Sequence, residues 1–177
     1  MGRAEKPESG HAVSAFSLHL SSLFEMRFRF VWPGKTKDEH LRSLVADYLK
    51  RLSRFAKVEV AEIRETSRRD SAAKAGEAQR IVESVVAANV VVVLDENARE
   101  FTSIQLADQI RRWENDSVKE VVIVIGGPEG LGEAVKARAG ALWRVSRLTL
   151  THEMARVVII EQLYRAYTIN RGLPYQK

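Results

Sequence analysis

The sequence predicts an α/β protein built on a mostly parallel sheet with helices on both faces. Two observations carry this expectation. From residue 26 onward, strand-like apolar segments alternate with segments whose apolar residues recur at helical spacing. Two of the strand-like segments, Val90–Leu94 and Val121–Ile125, have no polar interruption, which suits strands covered on both faces. The chain has 177 residues, 45% hydrophobic and 29% charged, enough for one folded domain with a sizeable core.

The elements follow in order. Phe28, Phe30 and Trp32 alternate with Arg27 and Arg29, a period-2 strand broken by Pro33-Gly34. Leu41, Leu44, Val45, Tyr48, Leu49, Leu52 and Phe55 fall on one helical face. Val58, Val60 and Ile63 predict a second strand. A polar stretch from Arg64 to Gly76, with Arg64, Arg68, Arg69 and Lys74, predicts a loop and then a helix carrying Ala78, Ile81, Val82 and Val85. The strand Val90–Leu94 ends at Asp95. Thr102 or Ser103 can cap the next helix, whose apolar face is Leu106, Ala107, Ile110 and Trp113. Val121–Ile125 runs into Gly126-Gly127-Pro128-Glu129-Gly130, followed by a helix bearing Leu131, Ala134, Val135 and Ala139. Leu142–Leu150 reads as a last strand. The final helix spans about 153–169 and is stopped by Asn170, Gly172 and Pro174. Its apolar stripe includes Met154, Val157, Val158, Ile160, Leu163, Tyr164 and Tyr167, too wide for one-sided packing. A subunit partner is the expected second surface, burial within one subunit the alternative.

Residues 1–25 differ in composition and are read as a poorly ordered N-terminal extension, with the domain over 26–177. The extension is either dispensable or an amphipathic arm built on Phe16, Leu18, Leu20, Leu23 and Phe24. The absence of cysteine excludes disulfides, Cys-ligated zinc and a thiol nucleophile. The four histidines, His11, His19, His40 and His152, lack metal-ligand spacing, so no metal is expected. No apolar run is long enough to span a bilayer, and a cytoplasmic protein without a membrane partner is expected. The formal net charge of +5 favours an anionic partner without naming one.

In a parallel sheet, ligands sit beyond the carboxyl ends of the strands. Three segments occupy such ends: Leu94-Asp95, Gly126–Gly130 and Leu148–His152. Adjacent glycines let a ligand approach the backbone, though a tight turn needs the same residues. Gly127 and Gly132 have Walker A spacing, but Glu133 and Ala134 stand where the Lys and hydroxyl are required. Gly130-Leu131-Gly132 has Val135 at the third glycine position of a dinucleotide fingerprint, and Glu129 would oppose a pyrophosphate. The loop therefore suits a ligand that is neutral or cationic overall. His152 reads as a helix-start residue or a catalyst, and Arg165 as a solvated charge or a functional cation.

Leu94-Asp95, Ile125–Leu131 (IGGPEGL), Ser146–Leu150 (SRLTL) and Leu163–Ala166 (LYRA), in this order and spacing, resemble the rRNA pseudouridine N3-methyltransferase family known as RlmH. The resemblance covers about residues 26–177. It implies a SPOUT-type fold with a C-terminal trefoil knot, which the general rarity of knots argues against and no periodicity could reveal. It implies a homodimer and S-adenosylmethionine (SAM) held in the knot. The matching cofactor positions are Leu94, Gly126, Val145, Ser146, Arg147, Leu148, Thr149 and Leu150. SAM carries a sulfonium and no phosphate, in keeping with a glycine loop lacking Lys. The implied reaction methylates N3 of a pseudouridine in the 23S rRNA of assembled ribosomes. His152, Arg165 and Tyr175 are the candidate catalytic residues: His152 to take the N3 proton, Arg165 to bind phosphate or orient the base, Tyr175 to take the proton or stack on a flipped-out base. The stretch around Arg64, Arg68, Arg69 and Lys74 is a candidate RNA contact or a solvated loop. Relatives commonly carry proline where this chain has Thr151, and histidine where it has Gln176, so a base role for that terminal histidine cannot apply. The alternative is a non-catalytic RNA-binding or ribosome-assembly module that keeps the fold.

Overall fold

A computed structural model describes residues 26–65 and 71–175. The N-terminal extension, Arg68, Arg69 and Gln176 lie outside the described residues. Five strands form one parallel sheet: β1 (Arg27–Pro33), β2 (Lys57–Ile63), β3 (Val90–Glu100), β4 (Glu120–Val124) and β5 (Ala141–Arg144), in the order β2-β1-β4-β3-β5. Five helices connect and cover it: α1 (Glu39–Leu52), α2 (Ser71–Val85), α3 (Ser103–Asn115), the single turn α4 (Glu133–Lys136), and α5 (His152–Asn170).

The pleat sends alternate residues to two cores. Phe28, Phe30 and Trp32 of β1 join Val121 and Ile123 of β4 in a core with α1, α3 and α5. Val31, Val91, Val93, Val122 and Val124 point the other way, onto Ile81 and Val85 of α2 and Val135 of α4. The unbroken apolar runs of β3 and β4 are thus covered on both faces, as their composition requires. Helix α3 begins with a capping box: Thr102 accepts from Gln105 N while the Gln105 side chain accepts from Thr102 N.

Three elements differ from the sequence reading. Strand β5 stops at Arg144, not Leu150, because the chain folds back on itself: Arg144 donates to the carbonyls of Ser146 (2.9 Å) and Arg147 (3.1 Å), and Ser146 Oγ accepts from Leu148 N. Strand β3 runs past Asp95 to Glu100, with an irregularity between Leu94 and Arg99 where it pairs with β5. The segment after the glycine loop holds only one helical turn, α4.

The wide stripe of α5 is buried mostly by its own subunit. Val157, Ile159, Ile160, Leu163, Ala166 and Tyr167 are buried in the first core. Tyr167 meets Phe28 edge-on and stacks on Phe55 just beyond α1, and Asn170 reaches the Ala107 carbonyl of α3. Helices α1 and α3 supply most of the second surface expected of a subunit partner, so stripe width is not an argument for a dimer.

Candidate active site

The carboxyl ends of β3, β4 and β5 open into one cleft of about 800 Å3. All eight cofactor positions matched in the sequence line it, from Leu94 and Gly126 to the segment Val145–Leu150, and so does His152. That segment leaves β5, lines the cleft together with the ends of β3 and β4, and enters α5, whose Arg156 donates to Pro33 O at the end of β1.

The glycine loop is held tight. Gly130 N donates to Gly127 O (3.0 Å), and Gly130 has φ +74°, a conformation that favours glycine. A Cβ on Gly126 would lie 3.1 Å from Leu131 Cγ and 3.2 and 3.3 Å from Gly130 backbone carbons. A Cβ on Gly127 would lie 3.0 Å from the Pro33 ring at the end of β1. The absent side chains therefore let the loop pack closely on itself and against β1 at the wall of the cleft.

Lys136 of α4 lies on the cleft wall with Asp95. Its ammonium is 2.7 Å from Asp95 Oδ2 and 3.5 Å from Glu133 Oε1. The Lys136 hydrogen bond, helped by Asn97 N–H (2.8 Å), holds the Asp95 carboxyl below its ordinary range. Asp95 in turn holds Lys136 protonated. A neutralised lysine offers little to a polyphosphate, consistent with the failed Walker and dinucleotide tests. Pattern reading had Asp95 as the end of a strand and did not single out Lys136; the ion pair joins residues 41 positions apart and has no local signature.

His152 is the first residue of α5, behind the N-cap Thr151, whose hydroxyl accepts from Met154 N (3.2 Å). The threonine thus caps the helix. Burial lowers the His152 pKa, and the Arg156 guanidinium lowers it further. The imidazole is thus held neutral, able to accept a proton. Glu153 and Arg156, absent from the sequence reading, fix this corner. Glu153 accepts from Lys37 N (2.8 Å) and Asp38 N (3.1 Å). Arg156, fully buried, donates to Pro33 O (2.8 Å) and Thr36 Oγ1 (2.9 Å) and stacks 4.9 Å over the Trp32 ring. The available signal was two charges at i and i+3 within the apolar stripe of α5.

The structure does not bring Arg165 and Tyr175 to this cleft. Arg165 lies 13 residues along α5, about 20 Å from His152 at 1.5 Å per residue. There Arg165 pairs with Glu161 Oε1 (2.5 Å) and lies over the Tyr175 ring at 4.7 Å. Tyr175 Oη donates to Glu161 Oε1 (3.0 Å) and lies 3.3 Å from Tyr48 Oη. Burial, with these two hydrogen bonds, pushes the Tyr175 phenol well above its ordinary pKa, so it stays protonated. Of the basic stretch, Lys74 pairs with Glu129 of the glycine loop (3.1 Å), and Arg64 is exposed. Among the described residues no three His, Asp or Glu side chains converge on a metal position, and no helix is long and apolar enough to cross a membrane.

Comparison with known proteins places this geometry in a family. Residues 26–176 match the family described as "Predicted SPOUT methyltransferase". A protein of Anaeromyxobacter sp. (strain Fw109-5), named ribosomal RNA large subunit methyltransferase H, is 40% identical over 154 residues, 86% of this chain and 100% of its own length. A relative of the same name from Gloeobacter violaceus is 38% identical over 153 residues, 85% of this chain and 98% of its own. Among solved structures, a probable methyltransferase from Bordetella pertussis has the same fold with a TM-score of 0.55 at 13% identity, covering 82% of this chain and 98% of that one. Full-length relatives of one name, and a family match spanning every described element, lead to one conclusion: the chain belongs to the SPOUT methyltransferases, alongside the relatives named ribosomal RNA large subunit methyltransferase H.

Proposed function

We propose that this protein transfers a methyl group from SAM to N3 of a pseudouridine in 23S rRNA, acting as a cytoplasmic homodimer on assembled ribosomes. The observation that carries the reading is the cleft itself. Three strand ends, including a tightly packed glycine loop, meet beside a histidine whose pKa is lowered by burial.

SAM fits these residues. Gly126 lines the cleft with no side chain of its own, Leu94 and Leu150 are half-buried on the wall, and Leu148 is a large apolar side chain 78% exposed at the mouth. When bound, SAM supplies an electrophilic methyl carbon. The chain's share is to hold donor and base in line, exclude water and accept a proton. Main-chain groups of Gly126 and Val145–Leu150 would hold the donor, Leu94, Leu148 and Leu150 would supply apolar lining for it, and His152 Nδ1 or Nε2 would take the N3 proton. Arg165 and Tyr175, about 20 Å from the cleft of their own chain, act in the cleft of a second copy, where Arg165 meets phosphate and the Tyr175 ring stacks on the base. The crossing of 145–151 over the ends of β3 and β4 is threaded as the family's trefoil knot.

The test is incubation with labelled SAM and ribosomes lacking the modification, followed by mass spectrometry of the rRNA. One methyl group at N3 of a single pseudouridine is expected. Tight, salt-sensitive ribosome binding without methyl transfer would favour a non-catalytic assembly module instead.

A further inference from the structure

A second recess, of about 490 Å3, lies on the other side of the α5 N-terminus, between α1 and the β1–β2 half of the sheet. Trp32 lies in it, Val45 and Leu49 of α1 form one wall, and Val60 of β2 forms the other. Trp32 is 2% exposed, and its Nε1–H is buried without a hydrogen-bond partner among the described residues. A buried indole N–H ordinarily finds an acceptor, so an orphan beside a recess points to a ligand that brings one.

The rim is cationic. Lys35, Lys37 and Arg42 line the recess against a single carboxylate, Glu62. Lys37 faces Glu65 at 3.4 Å and Arg42 faces Glu39 at 3.8 Å, both exposed pairs that a stronger anion displaces readily. Lys35 is exposed and makes no ion pair among the described residues.

The recess adjoins the cleft. Lys37, at its rim, and the next residue Asp38 donate their backbone N–H groups to Glu153, and the adjacent His152 lines the cleft. Both hollows open at the carboxyl end of the same parallel sheet, one over β1 and β2, the other over β3, β4 and β5. An RNA strand that places its target base beside His152 therefore runs directly past Lys37.

Resting on the methyltransferase reading, we propose that this recess holds one unpaired nucleotide of the rRNA flanking the target. Its base sits between the Val45–Leu49 wall and Val60 and accepts a hydrogen bond from Trp32 Nε1–H, and its phosphate lies against Lys35 and Arg42. An apolar slot with one donor inside and cations at the rim matches a flat base bearing a phosphate, the way single-stranded RNA is held.

The experiment uses the full-length protein and ribosomes lacking the modification. A photoreactive benzoylphenylalanine in place of Ala46, an exposed α1 residue lining the recess, is expected to crosslink to rRNA immediately beside the methylated position. Ala46→Trp, which fills the slot, raises KM for ribosomes about tenfold, the loss expected for one held base, with kcat and SAM affinity within twofold of wild type. Lys35→Glu lowers the salt dependence of ribosome binding by about one phosphate contact. An adduct with a second copy of the chain, an adduct remote from the methylated nucleotide, no adduct, or an unchanged KM in Ala46→Trp would each overturn the proposal. Failure of the wild-type protein to methylate ribosomes would instead sink the parent reading and this one together.

Discussion

Replacing Gly126 by alanine adds one methyl group where the structure leaves no room. The new Cβ would stand 3.1–3.3 Å from Leu131 Cγ and two backbone carbons of Gly130. Backbone cannot rotate away as a side-chain tip can, so the loop must widen by a few tenths of an ångström. Overpacking of this kind costs roughly 1–3 kcal/mol. In the free protein the loop relieves much of the strain by opening, whereas a donor gripped by main chain needs the loop closed. The cost therefore falls largely on binding, and at 1.4 kcal/mol per decade SAM affinity drops roughly 5- to 150-fold. Gly132→Ala is the matched control: its Cβ meets only Ala78 at 3.8 Å, an ordinary contact, and its backbone has φ −68°. Isothermal titration of both variants against SAM, with circular dichroism to establish folding, tests the pair. SAM affinity in a folded Gly126→Ala within twofold of wild type would refute the assignment of this loop to the donor.

Two further predictions concern the corner that carries His152. Arg156→Met keeps volume but removes the donors to Pro33 O and Thr36 Oγ1 and the cation near Glu153, costing about 3 kcal/mol. For a chain of this length that lowers Tm by roughly 6–12 °C in a calorimetric scan, and a Tm at or above wild type would contradict the reasoning. The folded pKa of His152 lies below its unfolded value of about 6.5, so the unfolded chain takes up the proton first as pH falls. Its contribution to stability is complete above that value and is lost as pH falls through the lower folded value; His152→Gln flattens this part of the profile. A proton-NMR titration placing the His152 midpoint at or above 6.5 would show that the imidazole is not held neutral.

The strand at Phe28–Trp32, the covered strands at Val90 and Val121, the cap at Thr102 and the long last helix were all legible in sequence, because each rests on a short-range period or a local hydrogen bond. Val145–Leu150 misled as a strand because its apolar residues resemble core residues. They line the cleft instead, with Leu148 left in solvent. Arg156 and the Asp95–Lys136 pair escaped notice because their partners are distant in sequence.

The residues by themselves determined that the chain alternates strand and helix, that its glycine loop lacks the Walker A and dinucleotide residues, and, through the order of its motifs, which family it resembles. Tertiary structure alone decided which ends meet. The parallel order β2-β1-β4-β3-β5 sets Pro33, Leu94, Ile125 and Arg144 along one edge, and the segment 145–151 lines the same cleft as the ends of β3 and β4. It likewise carried His152 into the cleft while leaving Arg165 and Tyr175 at the far end of the same helix. The physical reason is that periodicity records which side of an element is buried, whereas neighbours across a sheet are selected by packing the whole chain at once.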